Sequence, residues 1–334
     1  MAFHSVFTQF FPPKPTLTEH TVPLQRGKVF MVTGGNSGVG YELCKILYGT
    51  GATIYMASRS EERANAAIKH ITEAEPRPTT PGTIKFLRLD LNDLESVKTA
   101  AAGFSAQESK LDVLWNNAGT GGYRVEPWAK TAQGLESMVG MHCVATLLFT
   151  QLLEHKLHAA VATSSSASGA VRVVWTSSIV SDQGAPPNGI EFDLLDTGTE
   201  DRVRNYAVSK VGSWMLSREM ARRYGKHGIV SVAQNPGNIK TGSYEGTPAV
   251  TMFFLNRLLK DPKLGAYTEL YAGLSPEITL ERNGAYIIPW GRIRPDSACP
   301  RQDIIKAMSP EDDGGKGYSS KFWDWCEKQW QPFV

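Results

Sequence analysis

The segment TGGNSGVG, residues 33–40, decides the fold. It follows the apolar run Lys28-Val-Phe-Met-Val32, which predicts a short buried strand, and it precedes a run over residues 41–48 that predicts a helix. A glycine-rich turn between strand and helix places backbone N–H groups and the positive end of a helix dipole together, an arrangement that suits a dinucleotide phosphate. The spacing is GxxxGxG rather than GxGxxG, and a glycine cluster taken alone is also compatible with a plain turn. The predicted contacts in this turn are Gly34, Ser37, Gly38, Val39 and Gly40.

Strands and helices alternate along the chain after this unit. Further strands are predicted over residues 53–57, 84–89, 111–115, 171–176, 229–233 and 285–288, and helices over 61–71, 94–104, 135–157 and 203–224. Such alternation predicts an α/β fold of the Rossmann type, a three-layer doubly wound parallel sheet covered on both faces.

The chain divides into three segments of one domain. Residues 1–26 contain four prolines and predict an extended, irregular N-terminal arm. Residues 27–241 form the predicted dinucleotide-binding catalytic core. Residues 242–334 hold an apolar run at 250–259, a last strand and an aromatic C-terminal extension, whose tryptophans and phenylalanine we expect to pack against the domain. The apolar run is compatible with a substrate lid, which we prefer, or with a helix on a membrane surface.

Composition excludes several classes of protein. The net charge is +2 over 334 residues with acidic and basic residues intermixed, so no nucleic-acid partner is expected. No apolar run reaches the roughly 18 residues that a membrane span needs. The four cysteines are scattered without metal-ligand spacing, which predicts reduced thiols, no metal site and a cytoplasmic location.

Residues at the ends of later strands extend the predicted cofactor site. Arg59 stands where enzymes that prefer NAD usually have a carboxylate, and a guanidinium pairs with a ribose 2′-phosphate, so NADP(H) is favoured over NAD(H). The alternative is that Arg59 is a solvated residue at a strand end. Ligands of open parallel sheets bind at the carboxyl ends of the strands. The further predicted contacts at those ends are Asp90, Leu91, Asn117, Ala118, Gly119, Pro236, Gly237, Ile239 and Thr241.

A phenol and an ammonium share one face of the predicted helix 203–224. Tyr206 and Lys210 are four residues apart, and a neighbouring positive charge lowers the pKa of a phenol toward the range useful for proton transfer. Ser178, at the end of a predicted strand, can orient a substrate oxygen that Tyr206 protonates; Ser177 is the less favoured alternative. These three residues predict transfer of hydride between a nicotinamide and a carbonyl or alcohol, with Tyr206 and Lys210 also touching the cofactor.

The motifs, taken in order, resemble the short-chain dehydrogenases/reductases. They are TGGNSGVG at 33–40, Asp90-Leu91, NNAG at 116–119, TSS at 176–178, YAVSK at 206–210 and NPGNIKT at 235–241. The resemblance covers about residues 26–241 and is nearest to the branch with retinol dehydrogenases and many fungal reductases. It implies a single domain with a seven-stranded parallel sheet, a substrate lid after the NPG motif, and Tyr206, Lys210 and Ser178 as acid/base, its pKa-lowering partner and the orienting hydroxyl.

The resemblance also implies a substrate class and an assembly. Reductases of this kind often act on natural-product intermediates, so an apolar ketone or secondary alcohol is the expected small-molecule substrate. Relatives form dimers or tetramers through the helices that here carry His142 and Tyr206, whereas longer members are monomeric; a homodimer is therefore allowed.

Two positions depart from the family pattern. His142 stands where an asparagine usually holds a water in the proton relay, and Trp175 replaces a small polar residue in the strand before the serines. Histidine can still bind water or join the relay. These departures keep open an alternative on the same fold: an NADP(H)-binding isomerase or cyclase without net redox, or a nucleotide-sensing binding protein.

Overall fold

One mixed sheet organises the described part of the chain. The computed structural model describes residues 7–163 and 169–333. Within these residues eight strands pair in the order β3-β2-β1-β4-β5-β6-β7-β8. The strands are β1 Val29–Thr33, β2 Thr53–Ser58, β3 Thr83–Arg88, β4 Val113–Asn116, β5 Val171–Thr176, β6 Ile229–Gln234, β7 Tyr286–Ile288 and β8 Arg292–Arg294.

The expected parallel sheet of seven strands is present as β1 to β7, and β8 is an addition to it. This last strand runs antiparallel to β7, with Ile287 opposite Ile293. Its three residues include two arginines and are too few to show an alternating pattern, so the sequence did not predict it. A short, charged strand at the edge of a sheet also discourages pairing with another chain.

Helices cover both faces of the sheet. They are α1 Gly38–Tyr48, α2 Glu61–Thr72, α3 Leu94–Gln107, α4 Ser137–Leu152, α5 Glu154–Thr163, α6 Val180–Gln183, α7 Arg202–Tyr224, α8 Ala249–Leu255, α9 Pro262–Leu274, α10 Gln302–Met308 and α11 Tyr318–Trp330. Side chains alternate across β1: Phe30 and Val32 join one core, with α1, α2 and α9, while Val29 and Met31 join the other, with α3, α4 and α7. This is the three-layer, doubly wound arrangement that the alternation of elements predicted.

The long helix predicted over residues 135–157 is interrupted. It begins at Ser137, takes a π-helical turn over Gly140–Ala145, and ends at Leu152. The hydroxyl of Thr146 donates to the carbonyl of Met141, five residues earlier, which matches the wider turn. After Leu153 the chain bends by 49° into α5. Apolar periodicity does not reveal either the π turn or the bend, because both leave the buried face apolar.

The prolines predicted an extended, irregular N-terminal arm, but part of the arm is helical. Residues 7–10 form a helical turn. The buried Gln9 side chain accepts a hydrogen bond from Asn235 Nδ2 at 2.9 Å, and Arg292 Nη2 donates to the carbonyl of Thr8 at 2.7 Å. The arm is thus bound to the loop after β6 and to β8, contacts that only the tertiary structure supplies.

The aromatic C-terminal extension packs against the domain, as expected. Helix α11 lies along α7. Phe322, Trp323 and Trp330 are buried, and the guanidinium of Arg223 lies 4.7 Å from the centroid of the Trp323 ring. A large part of the outer face of α7 is therefore covered by the chain's own C-terminus.

Among the helices of the described ranges, none is by itself long and apolar enough to cross a membrane. The bent pair Ser137–Leu152 and Glu154–Thr163 meets that criterion of length and composition only when the two helices are taken together.

The packing of α11 on α7 predicts opposite effects for two glycine-to-alanine substitutions. A Cβ at Gly212 in α7 would lie 2.7 Å from Cys143 Sγ and 2.8 Å from the Phe322 ring, whereas a Cβ at Gly103 in α3 meets nothing within 4 Å. We expect Gly212→Ala to lower the free energy of unfolding by about 1–3 kcal/mol through overpacking. Gly103→Ala should raise it by up to about 1 kcal/mol through helix propensity. Urea denaturation of both variants measures this; equal effects would contradict the docking of α11.

Candidate active site

The predicted cofactor loops meet at the carboxyl edge of the sheet. Asn117 Nδ2 donates to the carbonyl of Thr33 at 2.8 Å, and the Ala118 N–H donates to the Thr33 hydroxyl at 2.9 Å. A Cβ on Gly40 would lie 2.5 Å from Asn117 Nδ2. The glycine turn after β1 and the loop after β4 are therefore packed directly on each other, and Thr241, after β6, lies beside Gly38.

The start of α1 has the features of an anion site. Gly34 has a φ of 69°, a left-handed conformation that favours glycine. Ser37 precedes α1, but its side chain caps none of the helix N–H groups. The first turn of an eleven-residue helix thus keeps N–H donors for a ligand, next to a turn without bulky side chains. These residues fit the diphosphate of a dinucleotide.

Two further predicted contacts lie at neighbouring strand ends. Arg59 is exposed directly after β2. Asp90 follows β3 and its carboxylate accepts the Asn92 N–H at 3.0 Å, while its own N–H donates to the hydroxyl of Ser96 at 2.9 Å. Leu91 is buried beneath them. Asp90 therefore stabilises its own turn and can offer a ligand only its remaining acceptor capacity.

Tyr206, Lys210 and Ser178 come together as the spacing predicted. Burial raises the pKa of the Tyr206 phenol to about 12, and its hydrogen bond with Ser178 opposes that rise. Burial lowers the pKa of the Lys210 ammonium to about 8. Lys210 Nζ donates to the carbonyl of Thr176 at 3.1 Å and lies 5.6 Å from the centroid of the Tyr206 ring. The Lys210 ammonium is thus held beside the Tyr206 phenol, with the Ser178 hydroxyl nearby.

The two serines after Thr176 have different surroundings. Ser177 is buried, and its hydroxyl donates to the carbonyl of Lys210 at 2.9 Å and contacts Ser181 at 3.0 Å. Ser178 is partly exposed; its hydroxyl accepts the Val180 N–H at 3.3 Å and lowers the pKa of the neighbouring Tyr206 phenol. Its carbonyl accepts the Tyr286 hydroxyl at 3.2 Å. Ser177 ties β5 to α7, while the hydroxyl of Ser178 lies in the more exposed residue of the pair.

His142 does not have a ring nitrogen free for a relay water. Its Nε2 accepts the backbone N–H of Thr120 at 3.0 Å, so the proton is on Nδ1, which lies 2.8 Å from the hydroxyl of Ser209. The Ser209 hydroxyl in turn donates to the carbonyl of Tyr206 at 2.8 Å. Burial, aided by the charge of Lys210, places the pKa of His142 well below its ordinary value. The ring is a neutral link between the loop after β4 and α7.

Trp175 faces the core instead of the site. It is fully buried, and its indole N–H donates to the Ser231 hydroxyl at 3.0 Å. Successive residues of a strand point to opposite faces, so the side chains of Trp175 and Thr176 lie on opposite sides of the sheet.

Loops after β4 and β6 approach each other across the edge of the sheet. A short 3-10 turn at Gly242–Tyr244 contacts another at Gly122–Arg124, and Arg124 forms an ion pair with Glu245 at 3.1 Å. Tyr244, at the end of the second turn, contributes an electrostatic interaction that raises the pKa of Tyr206, so it lies close to the site. No motif singled out Tyr244, because its proximity depends on the path of the loop.

Sequence reasoning also missed a buried acid behind the site. Glu269 of α9 accepts a hydrogen bond from the hydroxyl of Thr176 at 2.8 Å and is not exposed at all. Its position in an apolar helix run was the available signal, since a carboxylate is rarely buried without a partner.

Comparison with known proteins agrees with this geometry. A family model described as short chain dehydrogenase matches residues 28–189. The short-chain dehydrogenase/reductase iacJ of Pestalotiopsis fici is 48% identical, covering 100% of this chain and 99% of that protein. A solved, uncharacterized protein from Mycobacterium paratuberculosis is 25% identical with a TM-score of 0.65, over 94% of this chain and 97% of the other. The Pseudomonas aeruginosa RhlG/NADP active-site complex, 19% identical, has a TM-score of 0.60 over 79% and 95%.

The chain belongs to the short-chain dehydrogenase/reductase family. It is accordingly an oxidoreductase of a family that binds a nicotinamide cofactor, as its motifs predicted.

The hydrogen bonds of His142 predict a pH-dependent contribution to stability. Below about pH 6.5 the unfolded chain binds a proton at this histidine and the folded chain does not, so the contribution is fully present above pH 6.5 and is lost as pH falls. Relative to His142→Asn, the wild-type free energy of unfolding should fall by up to about 1.4 kcal/mol per pH unit below 6.5. Urea denaturation at pH 7.5, 6.5 and 5.5 measures it; a constant difference would contradict the neutral, buried ring.

Proposed function

We propose that the protein is an NADP(H)-dependent carbonyl reductase or alcohol dehydrogenase that acts on an apolar ketone or secondary alcohol. The observation that carries the proposal is the buried Lys210 ammonium, bonded to the carbonyl of Thr176 and 5.6 Å from the centroid of the Tyr206 ring, with the Ser178 hydroxyl near enough to lower the pKa of Tyr206. A hydroxyl pair and a buried cation at one point serve proton transfer to an oxygen.

Each of the three side chains has a distinct part in the proton transfer. When bound, the nicotinamide would supply or accept the hydride. Ser178 holds the substrate oxygen by a hydrogen bond, and Tyr206 gives that oxygen a proton in reduction or removes it in oxidation. A phenol with a pKa near 12 is a poor base, so the charge of Lys210 is needed to stabilise the phenolate.

The residues proposed to hold the cofactor surround this group. The N–H donors of the glycine turn would take the diphosphate, and Lys210 would reach the nicotinamide ribose. The proposed contacts are Gly34, Ser37, Gly38, Val39, Gly40, Arg59, Asp90, Leu91, Asn117, Ala118, Gly119, Tyr206, Lys210, Pro236, Gly237, Ile239 and Thr241.

Preference for NADP(H) over NAD(H) is part of the proposal. Arg59 is exposed at the end of β2, and the residue before it, Ser58, carries no charge that would repel a phosphate. The similar RhlG structure is an NADP complex, which supports the same choice.

An apolar substrate suits the segment after Thr241. Helix α8 leaves Val250 and Phe253 exposed, at 75% and 60% of their surface. We propose that this segment is a lid whose apolar side chains face a bound ketone, such as an intermediate of natural-product biosynthesis. The segment boundaries at residues 26 and 241 are part of this proposal.

No observation favours the non-redox alternative. It depended on His142 and Trp175, and the first is held by two hydrogen bonds while the second is buried away from the site. Neither His142 nor Trp175 takes the place of Tyr206, Ser178 or Lys210.

A homodimer and a cytoplasmic location are finer proposals. Helix α11 packs on α7, so we expect a homodimer of this chain to use a surface that α11 leaves free. All four cysteines are unpaired, which supports a reducing compartment.

Removal of one hydroxyl tests the catalytic assignment. Tyr206→Phe should reduce ketone-dependent oxidation of NADPH by about 10²–10⁴-fold, because the proton donor is lost. NADPH binding, followed by its fluorescence, should stay within about threefold, since most of the predicted contacts remain. Tyr224→Phe, on the same helix but hydrogen-bonded to Glu154, is the matched control and should retain activity. Full activity in Tyr206→Phe would refute the role.

The choice of cofactor is tested by a pair of arginine substitutions. Arg59→Asp should shift the ratio of kcat/KM for NADPH over NADH by about tenfold or more toward NADH, because a charge-assisted bond becomes a repulsion. Arg63→Asp makes the same charge change one turn into α2, where the side chain is also exposed, and should not alter the ratio. An unchanged ratio of kcat/KM in Arg59→Asp would refute the pairing of Arg59 with the 2′-phosphate.

A further inference from the structure

Glu269 is buried at the carboxyl ends of β5 and β6. It lies on α9, on the face of the sheet opposite α7, and is 0% exposed. Its Oε1 accepts the hydroxyl of Thr176 at 2.8 Å and Gln234 Nε2 at 2.7 Å. Its Oε2 is also buried and has no hydrogen-bond partner among residues 7–163 and 169–333. Burying half a carboxylate without a partner is costly, so stability alone does not explain this residue.

Thr176 connects this acid to the catalytic lysine. The Thr176 hydroxyl donates to Glu269, and the carbonyl of the same residue accepts Lys210 Nζ at 3.1 Å. Lys210 is itself buried, at 4% exposure, and within the described ranges no carboxylate lies at ion-pair distance from it. An acid and a base are thus buried on the two sides of one residue.

Other ionisable groups near Lys210 are neutral at physiological pH. Burial raises the pKa of the Cys143 thiol to about 12 and lowers that of His142 far below its usual value. Tyr206, on the same helix, has a pKa near 12 before cofactor binds. Glu269, with a pKa of about 8, is therefore the one of these groups that gains a negative charge beside Lys210 as the pH rises through that value.

Charged groups packed around Glu269 are engaged elsewhere. The Arg172 guanidinium on β5 donates to the carbonyls of Gly169, Ala272 and Ser275. On α1, which packs against α9, Glu42 interacts with charges at the start of α9, and Cys44 is a buried thiol with a raised pKa. On β4, Trp115 only donates its indole N–H to the Glu269 carbonyl.

We propose that Glu269 is a positioning residue for Lys210: a buried carboxylate behind Thr176 whose charge keeps the lysine an ammonium beneath Tyr206 as the pH rises. The proposal concerns the proton transfer described above and rests on that proposed function.

The pKa directions agree with this geometry. Burial raises the pKa of Glu269 to about 8, and its bond from Thr176 and the charge of Lys210 oppose the rise. Burial lowers the pKa of Lys210 to about 8, and Cys143 and Glu269 oppose that fall. As pH rises through this range Glu269 gains its negative charge, and that charge holds the proton on Lys210.

A purely structural role for Glu269 makes a different prediction. Glutamine has the same shape and keeps an acceptor oxygen for Thr176 and Gln234, so Glu269→Gln preserves the hydrogen bonds and removes only the charge. Under a structural role Lys210 would then titrate as in the wild type.

Titration of Lys210 by NMR tests the proposal. In protein labelled with ¹³C at lysine Cε, the Lys210 signal is the one that Lys210→Arg removes. Glu269→Gln should lower the pKa of Lys210 by about half a unit to one unit, a threefold to tenfold loss of proton affinity. Glu219→Gln removes another buried carboxylate, bound to Arg222 and Arg223 further along α7, and should not shift it. An unchanged Lys210 pKa in Glu269→Gln overturns the proposal.

A reciprocal measurement covers the case in which Glu269→Gln does not fold. Coupling between two sites is mutual, so Lys210→Met must raise the pKa of the Glu269 carboxyl, followed by ¹³Cδ, as much as Glu269 raises that of Lys210. An unchanged Glu269 pKa overturns the proposal on its own.

Failure of the two proposals is distinguishable, because neither titration needs a substrate. If the chain reduces no ketone but Lys210 shifts, the coupling stands and the proposed function fails. Suppose that alcohol oxidation is found. In Glu269→Gln, Lys210 should then lose its proton at a lower pH, so Tyr206 loses the positive charge that favours phenolate. The limb of the pH profile on which activity rises should therefore move to higher pH.

Discussion

A lysine ammonium buried where parallel strands end is the constraint on which the site depends. Lys210 is held by the carbonyl of Thr176, the last residue of β5, and this bond requires β5 and α7 to keep their relative position. Ser177 maintains it by donating to the carbonyl of Lys210. Burial lowers the pKa of Lys210 and so disfavours its charged form, yet the proposed chemistry requires that charge beside Tyr206. The residues around Lys210 either hold it in position or act on its charge.

His142 and Glu269 lie on opposite sides of that lysine and differ in what they contribute. The histidine is neutral, because Thr120 and Ser209 occupy its two nitrogens, and it ties the loop after β4 to the helix that carries Tyr206. Glu269 is ionisable and lies behind the strand end. The neutral His142 fixes the geometry on one side of Lys210. The ionisable Glu269 adjusts the charge of Lys210 on the other side.

The two ends of the chain are both used to support this edge of the sheet. Gln9 is bound to Asn235, whose own side chain accepts the N–H of Gly237, so the N-terminal arm reaches the turn beside the proposed nicotinamide position. The C-terminal helix α11 packs on α7 through Phe322 at Gly212, opposite Cys143. Segments outside the motif-bearing core therefore stabilise the elements that carry the motifs.

The sequence by itself determined the βα alternation, the family, and the convergence of Gly34, Asn117, Ser178, Tyr206 and Lys210, because each depends on local periodicity or on a strand end. The preference for Ser178 over Ser177 stays a prediction from the sequence. Only the tertiary structure decided the strand β8, the π turn that contains His142, the docking of Gln9, and the burial of Glu269. These depend on contacts between residues far apart in the chain, where side-chain shape and available hydrogen-bond partners, rather than spacing, decide the outcome.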